Sequence, residues 1–196
     1  MKLSAEDFLK KYSYDSSHPT EVRRIAVMIF DEVCEKIMEM PSHFRKLLEN
    51  AALLHDIGYY IESKGHNKHS MKMIVENGIK GFDEHDTDLI ACIALYHRGG
   101  LPDKEKHEIY SDLDKKDRKI VKRLGGILRI ADGFDRAHLA LIRKIKLNYD
   151  EDSNIVEFIV TPNTPDYYPD ITSAIRKRDL FEIGFKTQSV IKFERP

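Results

Sequence analysis

The sequence predicts a mostly α-helical bundle followed by a small α+β unit of ββαβ order, and three observations carry that prediction. Apolar residues recur at spacings of three and four through most of the chain up to Arg143, as buried helix faces require. Beyond Arg143 the pattern turns to alternation and β-branched runs, as strands require. Finally, 196 residues with 41% hydrophobic and 33% charged side chains suffice for a sizeable core, without the low hydrophobicity and large net charge of a disordered chain.

Residues 22 to 38, VRRIAVMIFDEVCEKIM, carry Val22, Ile25, Ala26, Ile29, Phe30, Val33, Cys34, Ile37 and Met38 on one sustained stripe. Pro19 suits the first turn of that helix, where its missing N–H is not needed, so His18 is expected at or just before the N-terminus. A second helix is predicted from Phe44 to Tyr60, its stripe passing through Leu47, Leu48, Ala51, His55 and Gly58, which puts His55 on the buried side. A third spans about Asn67 to Glu76 and stops at Asn77-Gly78. A fourth runs from Asp83 to His97 through Asp86, Ile90, Ile93 and Ala94, before Gly99-Gly100 breaks it.

Asp114 to Arg143 reads as one long helix or two, with Ile120, Val121, Leu124, Leu128, Ala131, Asp132 and Asp135 on one side. The segments KIKLNYD and NIVEFIVT then read as strands joined by DEDSN. Pro162, Pro165 and Pro169 punctuate a loop, a helix covers Ile171 to Gly184, and SVIKFE closes as a strand. The expected division is therefore residues 1–143, helical, and 144–196, small α+β.

Composition excludes several function classes. The net charge of −1 gives no global field for nucleic acid, which is not expected as a partner. The basic run KKDRKIVKR lacks interleaved aromatics and is offset by Asp112, Asp114 and Asp117, so it reads as a solvated helix face. Cys34 and Cys92, each flanked by helix-like apolar residues, read as reduced core thiols. No apolar run approaches the roughly 20 residues that cross a bilayer, so the expectation is a cytoplasmic protein with no membrane partner.

The periodicity also points polar side chains inward. Separate helices extend apolar stripes into His55, His97 and Asp132, while His18 precedes another helix and Asp56 neighbours His55. One such histidine is ordinarily a satisfied core residue, and a lone aspartate near a helix end is ordinarily a cap. Four such residues in one chain, His18, His55, Asp56 and Asp132, are better explained by meeting, because a buried charge needs a partner or a metal. Mixed imidazole and carboxylate ligands suit Mn, Fe, Ni or Zn, and oxygen-richer sets suit Mg. Adjacent helical residues point about 100° apart, so His55 and Asp56 could share an ion only if it lay between their directions, with His18 and Asp132 approaching from elsewhere.

These residues carry a resemblance. His18, the HD pair at 55 and 56, and RIADGFDR at 129 to 136 resemble the H…HD…D signature of HD-domain phosphohydrolases, helical bundles that hold divalent metal and cleave phosphate esters or nucleotides. AALLHDIGYYI, GHNKHSMKMI, ALYHRG and RIADGFDRAH look like the successive HD motifs of the C-terminal half of the exopolyphosphatase and guanosine pentaphosphate phosphatase family, and the ββαβ tail looks like its terminal subdomain. The resemblance covers nearly the whole chain. In long members polyphosphate cleavage is associated with N-terminal actin-like domains, which these 196 residues do not include, so exopolyphosphatase activity is not expected here.

The resemblance implies His18, His55, Asp56 and Asp132 as metal ligands, with His69 and His97 matching histidines that hold a second ion in binuclear relatives. It thus implies a metal-dependent phosphohydrolase for a nucleotide or other small phosphorylated compound, with Asp56 and His55 at the centre of catalysis. Lys68, Lys72, Arg98, Arg129 and Arg136 flank these positions as phosphate-binding candidates, Arg98 and Lys68 being the preferred pair. Asp135 is expected to orient a ligand or to pair with a cation. His43, His66, His85, His107 and His138 have weaker context, although His66 lies three residues before His69. The competing expectation is a non-catalytic module that binds nucleotide or polyphosphate for regulation. One or two ions, and a monomer or a homodimer, are compatible with the sequence.

Overall fold

Two helices of 20 residues, α2 (Ser17–Lys36) and α7 (Lys115–Phe134), pack against each other and supply the inner faces of the bundle. The computed structural model describes residues 2–164 and 168–194; Pro165, expected to punctuate a loop, lies outside them. Around this pair are α1 (Ala5–Tyr12), α3 (Ser42–Leu54), a 3-10 turn at Ile57–Tyr60, α4 (His66–Asn77), α5 (Glu84–Leu95) and the single-turn α6 (Glu108–Ser111). The stripes predicted from spacing are the core: Val22, Ile25 and Ile29 of α2, Leu47 and Leu48 of α3, Ile90 and Ile93 of α5, and Leu124 and Leu128 of α7 are fully buried. Cys92 is buried among them and both thiols are free. Among the described residues no helix is long and apolar enough to cross a membrane.

The tail folds as β1 (Ile142–Asp150), β2 (Ile155–Pro162), α8 (Thr172–Arg176), α9 (Asp179–Phe185) and β3 (Gln188–Phe193). β1 and β2 form an antiparallel hairpin in the register Ile145 to Val160. β3 then runs parallel to β2, Val156 opposite Ser189, a pairing that needs the helical crossover supplied by α8 and α9. The free edge of β1 meets α2, where Leu147 N–H donates to Glu32 Oε2 at 2.7 Å. The protein is thus mostly α with a small α+β subdomain at its C-terminal end.

Four elements differ from the sequence expectation. The predicted Phe44 to Tyr60 helix stops at Leu54, turns at His55 and Asp56, and resumes as the 3-10 turn, because α4 docks against the break. The region 114 to 143 is one helix that ends at Phe134, so Arg143 already lies in β1. The fourth helix ends at Leu95, leaving His97 in the following turn. The helix expected over 171 to 184 is broken in two at Lys177 and Arg178. α1 was not anticipated; it spans only eight residues, capped by Ser4 accepting from Asp7 N–H, and buries Ala5, Phe8 and Leu9.

α8 approaches α7 so closely that a Cβ on Gly133 would lie 2.6 Å from Ala174 Cα, closer than any real contact. Substituting Gly133→Ala must push α8 outward. Overpacking of this kind costs about 2 kcal/mol. Thermal unfolding in the presence of a chelator should show this as a midpoint lower by about 4–8 °C; an unchanged midpoint would mean that α8 is not held against α7.

Candidate metal centre

The polar side chains named above come almost entirely from helix ends. His18 sits in the first turn of α2, His55 directly follows α3, and His66 is the first residue of α4. His97 follows α5, Asp132 lies in the last turn of α7, and Asp135 is just past it. The break after α3 is built by close packing. A Cβ at Gly58 would fall 2.0 Å from the His66 carbonyl oxygen, so only glycine lets α4 dock there. Gly58 N–H donates to Ser70 Oγ at 2.8 Å, and that hydroxyl donates to the His55 carbonyl at 2.6 Å. The same contact that ends α3 therefore carries His66 to the centre.

Asp56 is the hinge of the arrangement. Its Oδ2 lies 3.4 Å from His55 Nε2 and 3.8 Å from His18 Nε2, while its Oδ1 lies 3.1 Å from His66 Nε2 and 3.5 Å from His97 Nε2. Asp132 Oδ1 completes the first side, 3.2 Å from His18 Nε2 and 3.8 Å from His55 Nε2. Two groups, His18-His55-Asp56 and Asp56-His66-His97, thus hold ligand-type atoms close enough to grip a metal ion, and they share Asp56.

The opposite ring nitrogens are all committed. The Nδ1–H groups of His55, His66 and His97 donate to the carbonyls of Ala52, Ser63 and Ala94 at 2.7, 3.0 and 2.8 Å. His18 Nδ1–H donates to Asp135 Oδ2 at 2.8 Å, and Asp135 Oδ1 accepts from Ala140 N–H at 2.9 Å. A carbonyl can only accept, so a neutral ring so held presents a bare lone pair at Nε2. His66 and His97 bring two such atoms within 3.3 Å of each other. His55 Nε2 makes no hydrogen bond, although Asp56 and Asp132 lie close by, and is the one such buried side-chain atom found among the described residues. An outer N–H bonded to carbonyl or carboxylate with the inner nitrogen free is how metal-ligating histidines are held. The residues present therefore fit a divalent cation, one or two.

The electrostatics keep both carboxyls ionised and separate the histidines. Burial opposes charging of His18, but hydrogen bonds to Asp132 and Asp135 outweigh it and raise its pKa to about 9. Burial and the neighbouring His55 push His97 down to about 3. Burial favours protonation of Asp56 and Asp132, yet His55 and His66 for the first, and His18 and Lys177 for the second, hold both carboxyls far below the usual range.

Of the residues selected from the sequence, His18, His55, Asp56, His97 and Asp132 are brought together. His69 is not: its Nε2 is 3.9 Å from Glu62 and outside both groups, since it lies nearly one turn further along α4, about 4.5 Å beyond the end at which His66 meets Asp56. Lys68 and Lys72 are also carried away, lining a separate groove between α4 and α5, where Lys72 pairs with Glu76. Arg129 lines the centre but is tied to Asp179 and to the Tyr96 and Gly99 carbonyls. Arg98 and Arg136 line the cavity of about 300 Å³ over the centre, as does Lys177 of the tail, which pairs with Asp132 Oδ2. Lys177 was missed because nothing near it in sequence marks it; His138, stacked on His18 at 3.8 Å, was passed over as one of several contextless histidines.

Residues 2–168 match the family model described as Ppx/GppA phosphatase, domain III. Among similar proteins are three guanosine-5'-triphosphate,3'-diphosphate pyrophosphatases. That of Aeromonas hydrophila is 29% identical over 128 residues, 65% of this chain and 25% of that protein. That of Vibrio vulnificus is 28% identical over 122 residues, 62% and 23%. That of Pseudoalteromonas translucida is 28% identical over 100 residues, 51% and 20%. The matched stretch spans a fifth to a quarter of these relatives' own length. By the extent of the match over residues 2–168, the chain belongs to the Ppx/GppA phosphatase family, within its domain III.

Proposed function

We propose that this chain is an HD-type, divalent-metal-dependent phosphohydrolase acting on a nucleotide or other small phosphorylated compound. The observation that carries the reading is one cavity in which two ligand groups share Asp56 beneath Arg98, Arg136 and Lys177. His18, His55, Asp56 and Asp132 would hold one ion, and Asp56, His66 and His97 a second. A divalent ion in such a site acidifies water and draws charge from a phosphoryl oxygen. The protein's own groups supply the rest. Arg98 and Arg136 offer planar forks for phosphate oxygens, and Lys177 adds a point charge beside Asp132. The relatives' name, which contains a phosphorylated guanosine, supports a nucleotide as the substrate class.

A second reading, a regulatory module that binds such a ligand without cleaving it, is favoured by one observation: the matched stretch is at most a quarter of each relative, so their named activity need not reside in it. Turnover separates the two. Protein purified without chelators and assayed against a panel of nucleotides and phosphomonoesters should hydrolyse at least one, with activity restored by added Mn, Fe, Ni, Zn or Mg after chelation. Even partners of metal ligands contribute about 10–100-fold; loss of a shared ligand in Asp56→Asn should therefore lower kcat/KM by more than about 100-fold. Full activity in that variant would remove the enzyme reading, and tight ligand binding without turnover in any metal would establish the module.

Metal content distinguishes the two histidines of α4. His66→Ala should reduce the bound divalent ions per chain measured by elemental analysis, whereas His69→Ala should not; equal losses would break the assignment of the second group. Chelation should also lower the melting midpoint. An ion present at 100 times its dissociation constant stabilises by about 2.7 kcal/mol, or about 5–10 °C for a domain of this size. A midpoint indifferent to chelator and to added metal would leave the cluster without an ion.

A further inference from the structure

We propose that a cavity adjoining the polar centre is a stacking subsite for the planar base of a nucleoside phosphate, with Tyr14 and Tyr59 as its selecting side chains. The proposal rests on the phosphohydrolase reading above and specifies what its substrate carries besides phosphate. The cavity has a volume of about 390 Å³, within the range of small-molecule sites, and shares the wall formed by His18, Asp56, Tyr59 and His138 with the cavity over the ligand groups. A molecule whose phosphate lies under Arg98 and Arg136 has this second space beside it.

The chemistry of that space selects among remainders. Its other walls come from Tyr12, Tyr14 and their neighbours between α1 and α2, and neither lysine nor arginine lines it. A second phosphate meets neither a lysine nor an arginine there, and Asp15 and Asp56 would repel it. A polyphosphate chain presents no apolar surface to the rings, and a bare sugar only a small, puckered one. A nucleobase does, and stacking on aromatic side chains is tolerant of which base it is. The rings are prepared for such a guest. Tyr12 is braced edge-on by Tyr60 at 5.1 Å, and Tyr59 is stacked on His66 at 3.9 Å. Tyr14 is 88% exposed, a large aromatic at the rim that covers nothing of the core.

Tyr14 can be replaced without cost to the fold for that reason, whereas Tyr59 is left intact because it touches His66. The experiment compares a nucleoside 5'-monophosphate with ribose 5-phosphate on manganese-loaded protein, as kcat/KM and, separately, as affinity by equilibrium dialysis. The wild type should favour the nucleotide by tenfold or more. Tyr14→Ala should reduce that ratio by about tenfold, within what one stacked base contributes, and Tyr14→Phe should keep it. Equal ratios in the wild type and Tyr14→Ala, or an equal loss in Tyr14→Phe, would overturn the subsite even if both esters are cleaved. If neither ester is cleaved, a nucleotide preference in dialysis that vanishes in Tyr14→Ala supports the subsite while the hydrolytic reading fails; no preference in dialysis overturns the subsite.

Discussion

The structure depends on one constraint: the outer nitrogens of four histidines are fixed, so their inner nitrogens must face one another. Three are tied to main-chain carbonyls of their own local turns and the fourth to Asp135. The bonds are short-range and set by backbone geometry, so the rings cannot rotate to relieve the crowding around Asp56 without abandoning buried hydrogen bonds. Bare lone pairs 3.3 Å apart at His66 and His97 and an unpartnered Nε2 on His55 repel in isolation. A proton can satisfy the last of them, since, against its burial, Asp56 and Asp132 raise the pKa of His55. A cation between them satisfies all, and the two carboxylates beside them supply the negative charge it needs.

This cluster is tolerable inside a bundle because it collects at helix ends. A helix interior offers only side chains, but an end also offers free carbonyls and N–H groups. His55 and His97 each bond the carbonyl three residues back, using the terminal turns of α3 and α5 as fixed rails. Asp135 just beyond α7 accepts from Ala140 N–H as well as from His18, although Ala140 must adopt a positive φ of 49° to reach it. Close packing then sets the distances between ends. Glycine at position 58 admits α4, and the approach of α8 to α7 delivers Lys177 to the outer oxygen of Asp132.

Much of this was readable from residue spacing, and the failures share a cause. Buried stripes in α2, α3, α5 and α7 follow from periodicity alone, as do the inward directions of His55, His97 and Asp132, because each lies on or next to a long regular helix. The break at His55 and Asp56 does not, since leucine and alanine up to that point are good helix formers and only the distant docking of α4 stops them. That break removes the difficulty of two neighbours pointing apart: Asp56 leaves the helix and turns one oxygen toward His55. The placing of His66 rather than His69 beside Asp56 has the same cause. The two are nearly a full turn apart on one side of a short helix, and which turn meets Asp56 is decided by α4's contact with Gly58, which no local pattern encodes. Lys177 arrives from a crossover helix through tertiary packing, with no motif of its own.

The division of labour between the oxygens of Asp132 gives the arrangement its direction. Oδ1 faces His18 and His55, while Oδ2 faces Lys177. A cation held on the inner oxygen does not have to displace the lysine from the outer one, so both positive charges can be present together on opposite sides of one carboxylate. The same division holds at Asp56, where each oxygen serves a different pair of histidines. Carboxylates therefore line the depth of the cavity, and side-chain cations line the wall above them. An anionic ligand entering a cavity so layered meets Arg98, Arg136 and Lys177 while being repelled by Asp56 and Asp132 until those are neutralised. Cation first and anion second is the order that avoids placing like charges against each other in a partly desolvated space, where their repulsion is least screened.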